Sequence, residues 1–189
     1  MSIKLIAGLA GVGLFLLVVI LIYNKLVRLR YAARNAWSDI DVHLKKRYDL
    51  VPNLVEAVKG YVSHESETLI KVTQLRSAAV KSDSPGEKAK ADNMLMDALK
   101  GLLAVVEAYP ELKADKRFQE LMADMKELDD NIEHARRYYN ASVRDYNIAV
   151  NVFPTNIVAS AFSFNPEEFF ALDDEREERK PVRIRFTEV

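Results

Sequence analysis

Two groups of side chains are of types that could bind a metal ion, and both are incomplete. His64-Glu65 begins like the zinc-binding sequence His-Glu-x-x-His, but the second histidine is replaced by Thr68. Asp39 and His43 are four residues apart, so on a helix they lie on one face, as two metal ligands would. Two ligands do not make a metal site, and such a pair is more often a polar contact on a helix surface. We therefore predict no metal site.

Catalytic motifs are also missing from the sequence. The chain has no cysteine, which excludes a thiolate zinc site and a cysteine nucleophile. It has no glycine-rich phosphate loop and no Gly-x-Ser-x-Gly elbow, and catalysis needs a nucleophile or an acid or base with an orienting partner. With 27 basic and 28 acidic side chains, the chain is not a general nucleic-acid binder. We predict a protein without catalytic residues or a cofactor, and an enzyme is the least favoured hypothesis.

The N-terminal segment is the strongest feature of the sequence. Residues 5–23 carry no charge, and as a helix they would extend roughly 28 Å, about the thickness of a bilayer core. A cleaved signal peptide is the alternative, but no small-x-small cleavage site follows the apolar run. We therefore predict an uncleaved transmembrane anchor, whose apolar residues include Leu5, Leu9, Leu16, Val19, Leu21 and Tyr23.

Basic residues on one side of this segment predict its orientation. Only Lys4 and the terminal amine precede it, whereas Lys25, Arg28, Arg30 and Arg34 follow it. The positive-inside rule then places residue 24 onward in the cytoplasm and the N-terminus outside, in the inner (plasma) membrane. The same basic residues can contact anionic lipid headgroups, or they can serve only to set the topology.

The elements that follow are helical by their apolar spacing. Apolar residues recur at steps of three and four, which predicts helices over residues 24–62, 66–81, 88–108 and 115–151. Pro52 would bend the first helix without ending it. With a turn near residue 63, the two long helices and the two short helices match in length. One straight helix over 24–81 would instead leave apolar residues uncovered. We therefore predict an all-α fold, an antiparallel up-and-down four-helix bundle after the anchor.

The C-terminal part is predicted to differ from the bundle. Pro154 ends the last long helix, and an apolar segment follows that is too short to span a bilayer. Asn165 and the residues to Glu168 can open a short helix, and the charged run 173–180 predicts a flexible tail. Residues 182–186 alternate like a strand but have no partner strand. The expected division is an anchor at 1–23, a bundle at 24–153, and an apolar turn, short helix and charged tail at 154–189.

Three blocks of the sequence resemble the LemA family. They are residues 36–55 (AWSDIDVHLKKRYDLVPNLV) with their continuation to His64-Glu65, residues 108–114 (AYPELKA), and the set Tyr139-Asn140, Tyr146-Asn147 and Val152-Phe153-Pro154. The chain departs from the family at Asp129-Asp130-Asn131, where a Glu-Asn pair is usual. The resemblance implies a single-pass membrane protein with an outside N-terminus and a cytoplasmic four-helix bundle. It implies no established enzymatic activity.

Polar residues within the apolar pattern are predicted to set the register of the helices or to form an interaction surface. Tyr139-Asn140 and Tyr146-Asn147 repeat at the seven-residue spacing of coiled coils, so we expect their side chains to bond across helices. A ligand groove would use the same groups. Further residues of this predicted set are Trp37, Asp39, Asp41, His43, Pro52, Asn53, His64, Phe153 and Pro154.

Function is then predicted as a membrane-anchored scaffold rather than a catalyst. Ala7 and Gly11, four apart in the anchor, could let two helices approach, or they could reflect only the usual composition of anchors. The expected partners are membrane lipid, further copies of the chain and an unidentified protein, with no nucleic acid. The alternative is a regulatory adaptor or signal-relay component that acts on a separate membrane enzyme. The apolar residues after Pro154 either rest in the membrane interface or close the end of the bundle core.

Overall fold

The computed structural model describes residues 3–62 and 66–170, and within them the protein is all-α, with helices and no strand. His64, the charged run 173–180 and the alternating segment 182–186 lie outside the described residues. The helices are α1 (Ile3–Lys59), α2 (Ser66–Lys81), α3 (Pro85–Val106), α4 (Pro110–Ala114), α5 (Lys116–Asn151) and α6 (Thr155–Ala161).

Helix α1 joins the apolar N-terminal segment to the amphipathic segment without a break. It has 57 residues, which corresponds to roughly 86 Å, and it continues through Pro52. It ends at Lys59, where the N–H of Tyr61 donates to the carbonyl of Val58 at 2.9 Å. Because α1 ends at Lys59 and α2 begins at Ser66, a single helix over 24–81 is excluded.

Helices α2 and α3 are joined by a short loop and pack against each other. The bounds predicted for α2 from apolar spacing, 66–81, are those of the structure. Ser84 caps α3, because its side-chain oxygen accepts a hydrogen bond from the N–H of Glu87 at 3.2 Å. Pro85 takes the first position of α3, where a missing N–H costs nothing.

The chain forms two compact units, each with its own buried side chains. Among the described residues, unit 1 comprises 3–41 and 133–169, and unit 2 comprises 42–62, 66–132 and 170. The core of unit 1 includes Leu26, Tyr146, Ala149, Val150, Val158, Ala159 and Phe164. In unit 2, buried apolar residues include Leu44, Val51, Leu54, Val72, Leu95, Leu102, Leu112 and Met125.

The short C-terminal helix lies earlier in the chain than the sequence suggested. It is α6, Thr155–Ala161, whereas residues 164–170, including Asn165 and Glu168, have no regular secondary structure. Ser163 ends the helical course with a φ of 57°, and the N–H of Phe164 donates to the carbonyl of Ala159 at 2.9 Å. The prediction of a helix at Asn165 is therefore wrong, because the main-chain carbonyls of Asn165, Glu167 and Glu168 accept hydrogen bonds from side chains of α5.

Candidate functional site

A buried ion-pair cluster in unit 2 links three helices. Arg47 of α1 donates through Nη2 to the carboxylate of Asp92 of α3, and through Nη1 to Oδ1 of Asp129 of α5 at 2.7 Å. The hydroxyl of Tyr48 donates to Asp92 Oδ1 at 3.1 Å. The side chains of Arg47 and Asp92 are 3% and 4% exposed, and that of Asp129 is 40% exposed. The cluster is thus closed on the Asp92 side and reaches solvent through Asp129.

A fourth helix contributes a polar contact to the same part of α1. Arg76 of α2 donates through Nε to the main-chain carbonyl of Tyr48 at 2.8 Å, and its Nη2 lies 3.7 Å from Oδ1 of Asp49. The carbonyl of Tyr48 lies one turn before Pro52, which has no N–H to donate to it. The guanidinium of Arg76 therefore bonds a carbonyl that the proline leaves without its usual partner within the helix.

The electrostatics of Arg47 favour a permanent charge. Burial alone lowers its pKa, but the carboxylates of Asp92 and Asp129 outweigh burial, so the pKa of Arg47 is raised above its ordinary value. A guanidinium in this setting holds its proton and cannot act as a general acid or base. Paired buried charges specify which helices meet, and they become costly when one partner is removed. The chemistry of this cluster is therefore structural.

Arg47 and Asp92 were missed from the sequence, although a signal existed. The apolar stripe of α1 has one step of seven, from Leu44 to Val51, which Tyr48 bridges; Arg47 fills it equally well, at steps of three and four. Asp92 likewise lies three residues before the buried Leu95. A charged residue at a core position of each of two helices is the pattern of a buried pair. Asp129, at the departure from the family pattern, is one of the acceptors of Arg47.

In unit 1, side chains of α5 bind the main chain of the segment after α6. The hydroxyl of Tyr139 donates to the carbonyl of Glu168 at 2.6 Å, and that of Tyr146 donates to Asn165 at 3.0 Å. Asn147 makes two bonds to Glu167: its Nδ2 donates to the carbonyl and its Oδ1 accepts from the N–H, both at 2.9 Å. In place of the expected bonds across helices, these three side chains bond the main chain of a segment without regular secondary structure.

Burial keeps both tyrosines in their neutral, donating form. Burial first, and then the charges of Glu167 and Glu168, raise the pKa of Tyr139 to about 12. Burial also raises the pKa of Tyr146, and Arg30 offsets part of that rise. A neutral phenol is the form that donates to a carbonyl, so the arrangement is stable throughout the physiological pH range.

An aromatic and basic group lies in unit 1 where the predicted anchor ends. The ring of Tyr23 is 5.0 Å from the ring of Phe162 and 5.6 Å from that of Phe164, both edge-on. The guanidinium of Arg30 lies 5.9 Å from the ring centroid of Phe164, and its Nε is 3.6 Å from Oε1 of Glu167. The end of the apolar stretch is therefore tied to the segment that follows α6.

The remaining anchor residues and flanking charges are largely exposed. Leu9, Leu16 and Leu21 are exposed, Val19 is half-buried, and the side chain of Leu5 lies outside the described part. Lys25, Arg28 and Arg34 are exposed as well. Among the described residues, α1 is the one helix long and apolar enough to cross a membrane, and none of its apolar window is buried.

The other predicted site residues occupy different surroundings. Trp37 is half-buried, with its ring centroid 5.6 Å from that of Tyr139. The side chain of His43 is half-buried, and its Nδ1 has no hydrogen-bond partner among the described residues. Across the described ranges, no three histidine, aspartate or glutamate residues are grouped closely enough to hold a metal ion. Asp41 and Asn140 are half-buried, whereas Asp39, Pro52, Asn53, Phe153 and Pro154 are exposed.

The fold and these contacts define a class of all-helical protein with an unburied apolar N-terminal stretch. Polar clusters join its helices to one another and join α5 to the main chain of the segment after α6. The chain belongs to the LemA family, whose model matches residues 36–186. It is 30% identical to Protein LemA of Metamycoplasma hominis, over 87% of this chain and 76% of that protein. It is also 23% identical to Magnetosome protein MamQ 2 of Paramagnetospirillum magneticum, over 88% of this chain and 71% of the relative.

Proposed function

We propose that the protein is a single-pass, non-enzymatic membrane scaffold, anchored in the inner membrane by residues 5–23 with its N-terminus outside. One observation carries this proposal: the apolar window of α1 is not buried by the protein, yet the same helix continues without a break to Lys59. Leu9, Phe15 and Leu21 are each at least 60% exposed. Each costs roughly 1.5–3 kcal/mol to keep in water, and a bilayer removes that cost.

The exposed basic residues support the proposed orientation. Lys25, Arg28 and Arg34 follow the apolar stretch and are exposed to solvent. Such residues near the end of a span are retained on the cytoplasmic side. The test uses two single-cysteine variants, Ser2→Cys and Asp83→Cys, treated with a membrane-impermeant thiol reagent in intact cells. Labelling at position 2 alone supports the orientation, and labelling at position 83 alone overturns it.

We further propose that the helices after the anchor form an antiparallel four-helix bundle. In unit 1, Trp37 contacts Tyr139, and Leu26 shares a core cluster with Val150. The interval from 26 to 37 on α1 equals the interval from 139 to 150 on α5, which is expected of two antiparallel helices. In unit 2, α1 binds α2, α3 and α5 through the contacts of Arg47 and Tyr48.

Self-association is the second part of the scaffold proposal. An extra Cβ at Gly11 would meet nothing within 4 Å, so this glycine is not needed for packing within the chain. Tyr31 in unit 1 is 58% exposed, as residues at interfaces between copies are before assembly. The mass of the full-length protein in mild detergent tests this. A discrete homo-oligomer supports the scaffold, whereas a monomer that co-purifies with one protein would favour the adaptor.

A further inference from the structure

Three large apolar side chains around α6 are exposed together. Phe153, Ile157 and Phe162 are 79%, 62% and 53% exposed. We call these three residues the α6 patch. Scattered apolar residues are ordinary on protein surfaces, but three large ones within ten consecutive residues together expose apolar area that water solvates poorly. Since α6 buries Val158 and Ala159 in the core of unit 1, the helix is docked firmly enough to present the patch.

The patch lies at the end of the apolar stretch of α1. The ring of Phe162 is 5.0 Å from that of Tyr23. The core cluster that holds Val158 and Ala159 is also packed against Val19 and Ile22 of α1. Val19 lies four residues before Tyr23, so the cluster reaches roughly 6 Å back along the apolar stretch.

A distance of roughly 6 Å back from the end of the apolar stretch matches the depth at which amphipathic segments rest in a bilayer. Interfacial segments bury their apolar side about 5–10 Å into the boundary between headgroups and acyl chains. If residues 5–23 cross the membrane, α6 is carried to that boundary by its contacts with α1. The exposed Lys25 and Arg28, within two turns of α1 from Tyr23, would meet anionic headgroups there.

We propose that the α6 patch inserts into the headgroup–acyl boundary of the leaflet on the side of residue 24, as a second membrane contact beside the anchor. The proposal rests on the proposed anchor. Its occupant is phospholipid, because the patch is continuous with the apolar surface of α1 through the contact between Phe162 and Tyr23. Two attachment points on one unit fix the tilt and rotation of α1 in the bilayer, which a lone helix leaves free.

Single spin labels on the full-length protein in phosphatidylglycerol–phosphatidylcholine vesicles test the proposal, because the chain has no cysteine of its own. The test variants are Ile157→Cys and Phe153→Cys. Tyr138→Cys is the aqueous control, since Tyr138 is 61% exposed and precedes Tyr139, which contacts Trp37. Trp37 lies about 21 Å along α1 from Tyr23, so Tyr138 is expected to lie well outside the bilayer. Phe15→Cys is the control inside the span.

Collision rates with oxygen and with a water-soluble nickel chelate separate the outcomes. We expect labels at positions 157 and 153 to collide more often with oxygen than with the chelate, as the label at position 15 does. The label at position 138 should collide more often with the chelate. If the labels at positions 157 and 153 behave like the label at 138 while the label at 15 is in lipid, the patch proposal is overturned and the anchor proposal is supported. If 15 also meets the chelate, the anchor itself fails. If labels at positions 157 and 153 are shielded from both reagents and show spin–spin broadening, a second copy of the chain covers the patch, and the proposal of a lipid contact is overturned.

A charge substitution gives a second, independent measurement. Ile157→Glu with Phe162→Glu should lower the oxygen-to-chelate ratio at a label on position 153 at least severalfold, because carboxylates are excluded from the apolar boundary. The matched control, Tyr138→Glu, should leave that ratio unchanged. Circular dichroism of both variants checks that helix content is kept. An unchanged ratio in the folded double variant would overturn the proposal.

Discussion

Arg47 and Asp92, 45 positions apart in the chain, form an ion pair that is almost fully removed from solvent. Burying two charges is expensive, and their attraction repays the cost only when hydrogen bonds satisfy both groups. Here Tyr48 and Asp129 supply additional bonds, whereas Nε of Arg47 has no hydrogen-bond partner among the described residues. The pair therefore contributes mainly to the choice of which helices meet. Removing one of the two charges should destabilise the protein more than replacing both.

Asp92→Asn should destabilise the protein by about 3–5 kcal/mol, because Arg47 is left buried with only one carboxylate. Asp129→Asn is the matched control. Its side chain is 40% exposed, so water can replace it and the loss should be near 1 kcal/mol or less. Urea unfolding of the full-length protein in detergent, followed by circular dichroism, measures both. Equal losses in the two variants would contradict a buried pair centred on Asp92.

Replacing both partners should restore much of that stability. Arg47→Met with Asp92→Leu removes both buried charges together and leaves apolar side chains of similar volume. Such replacements are often neutral or stabilising. We expect the double variant to unfold at a higher urea concentration than Asp92→Asn. A double variant that is less stable than Asp92→Asn would show that the ion pair itself stabilises the fold.

Stability at alkaline pH should depend on Tyr139. Its pKa is about 12 in the folded protein, against about 10 in an unfolded chain. The folded state holds the phenolic proton more tightly, so the stability gained is complete below pH 10 and is lost as pH rises from 10 to 12. Tyr139→Phe should flatten this part of the curve of unfolding free energy against pH. The neighbouring exposed change Tyr138→Phe should leave the decline as in the wild type.

Asn147 should control protection of the segment after α6. It makes two hydrogen bonds to the main chain of Glu167, and Asn147→Ala removes both. Loss of such bonds costs about 1–3 kcal/mol, which corresponds to roughly 5- to 150-fold faster amide hydrogen exchange at Glu167. Asn151→Ala is the control, because Asn151 is exposed and its side chain bonds within α5, to the carbonyl of Asn147. Equal exchange at Glu167 in both variants would contradict this role.

Anchor association should depend on one face of α1. Ala7→Leu with Gly11→Leu should shift the full-length protein in mild detergent toward lower mass, because larger side chains hold helix backbones apart. Gly13→Leu is the matched control, since position 13 lies roughly opposite that face. Mass photometry or light scattering measures the shift. Equal shifts from both changes would show that bulk in the anchor, rather than this face, is responsible.

The sequence alone determined the four longer helices, because helix formation depends on local spacing. The bounds of α2 match those predicted, and α5 begins and ends within one residue of its prediction. The apolar character of residues 5–23 is equally local, and α1 carries it into the packed part of the chain. The position of the short helix could not be predicted, since Asn165-Pro166-Glu167-Glu168 has the composition of a helix start but its main chain is bound by α5.

Only the tertiary structure decided which side chains meet. Arg47 fills a step in the apolar stripe of α1, but nothing near it in the chain specifies Asp92 as its partner. Tyr139 and Asn147 carry a visible seven-residue repeat, yet their partners are carbonyl groups of a segment without regular structure. Contacts of this kind depend on how separate helices pack, because burial and distance arise only once the chain has folded.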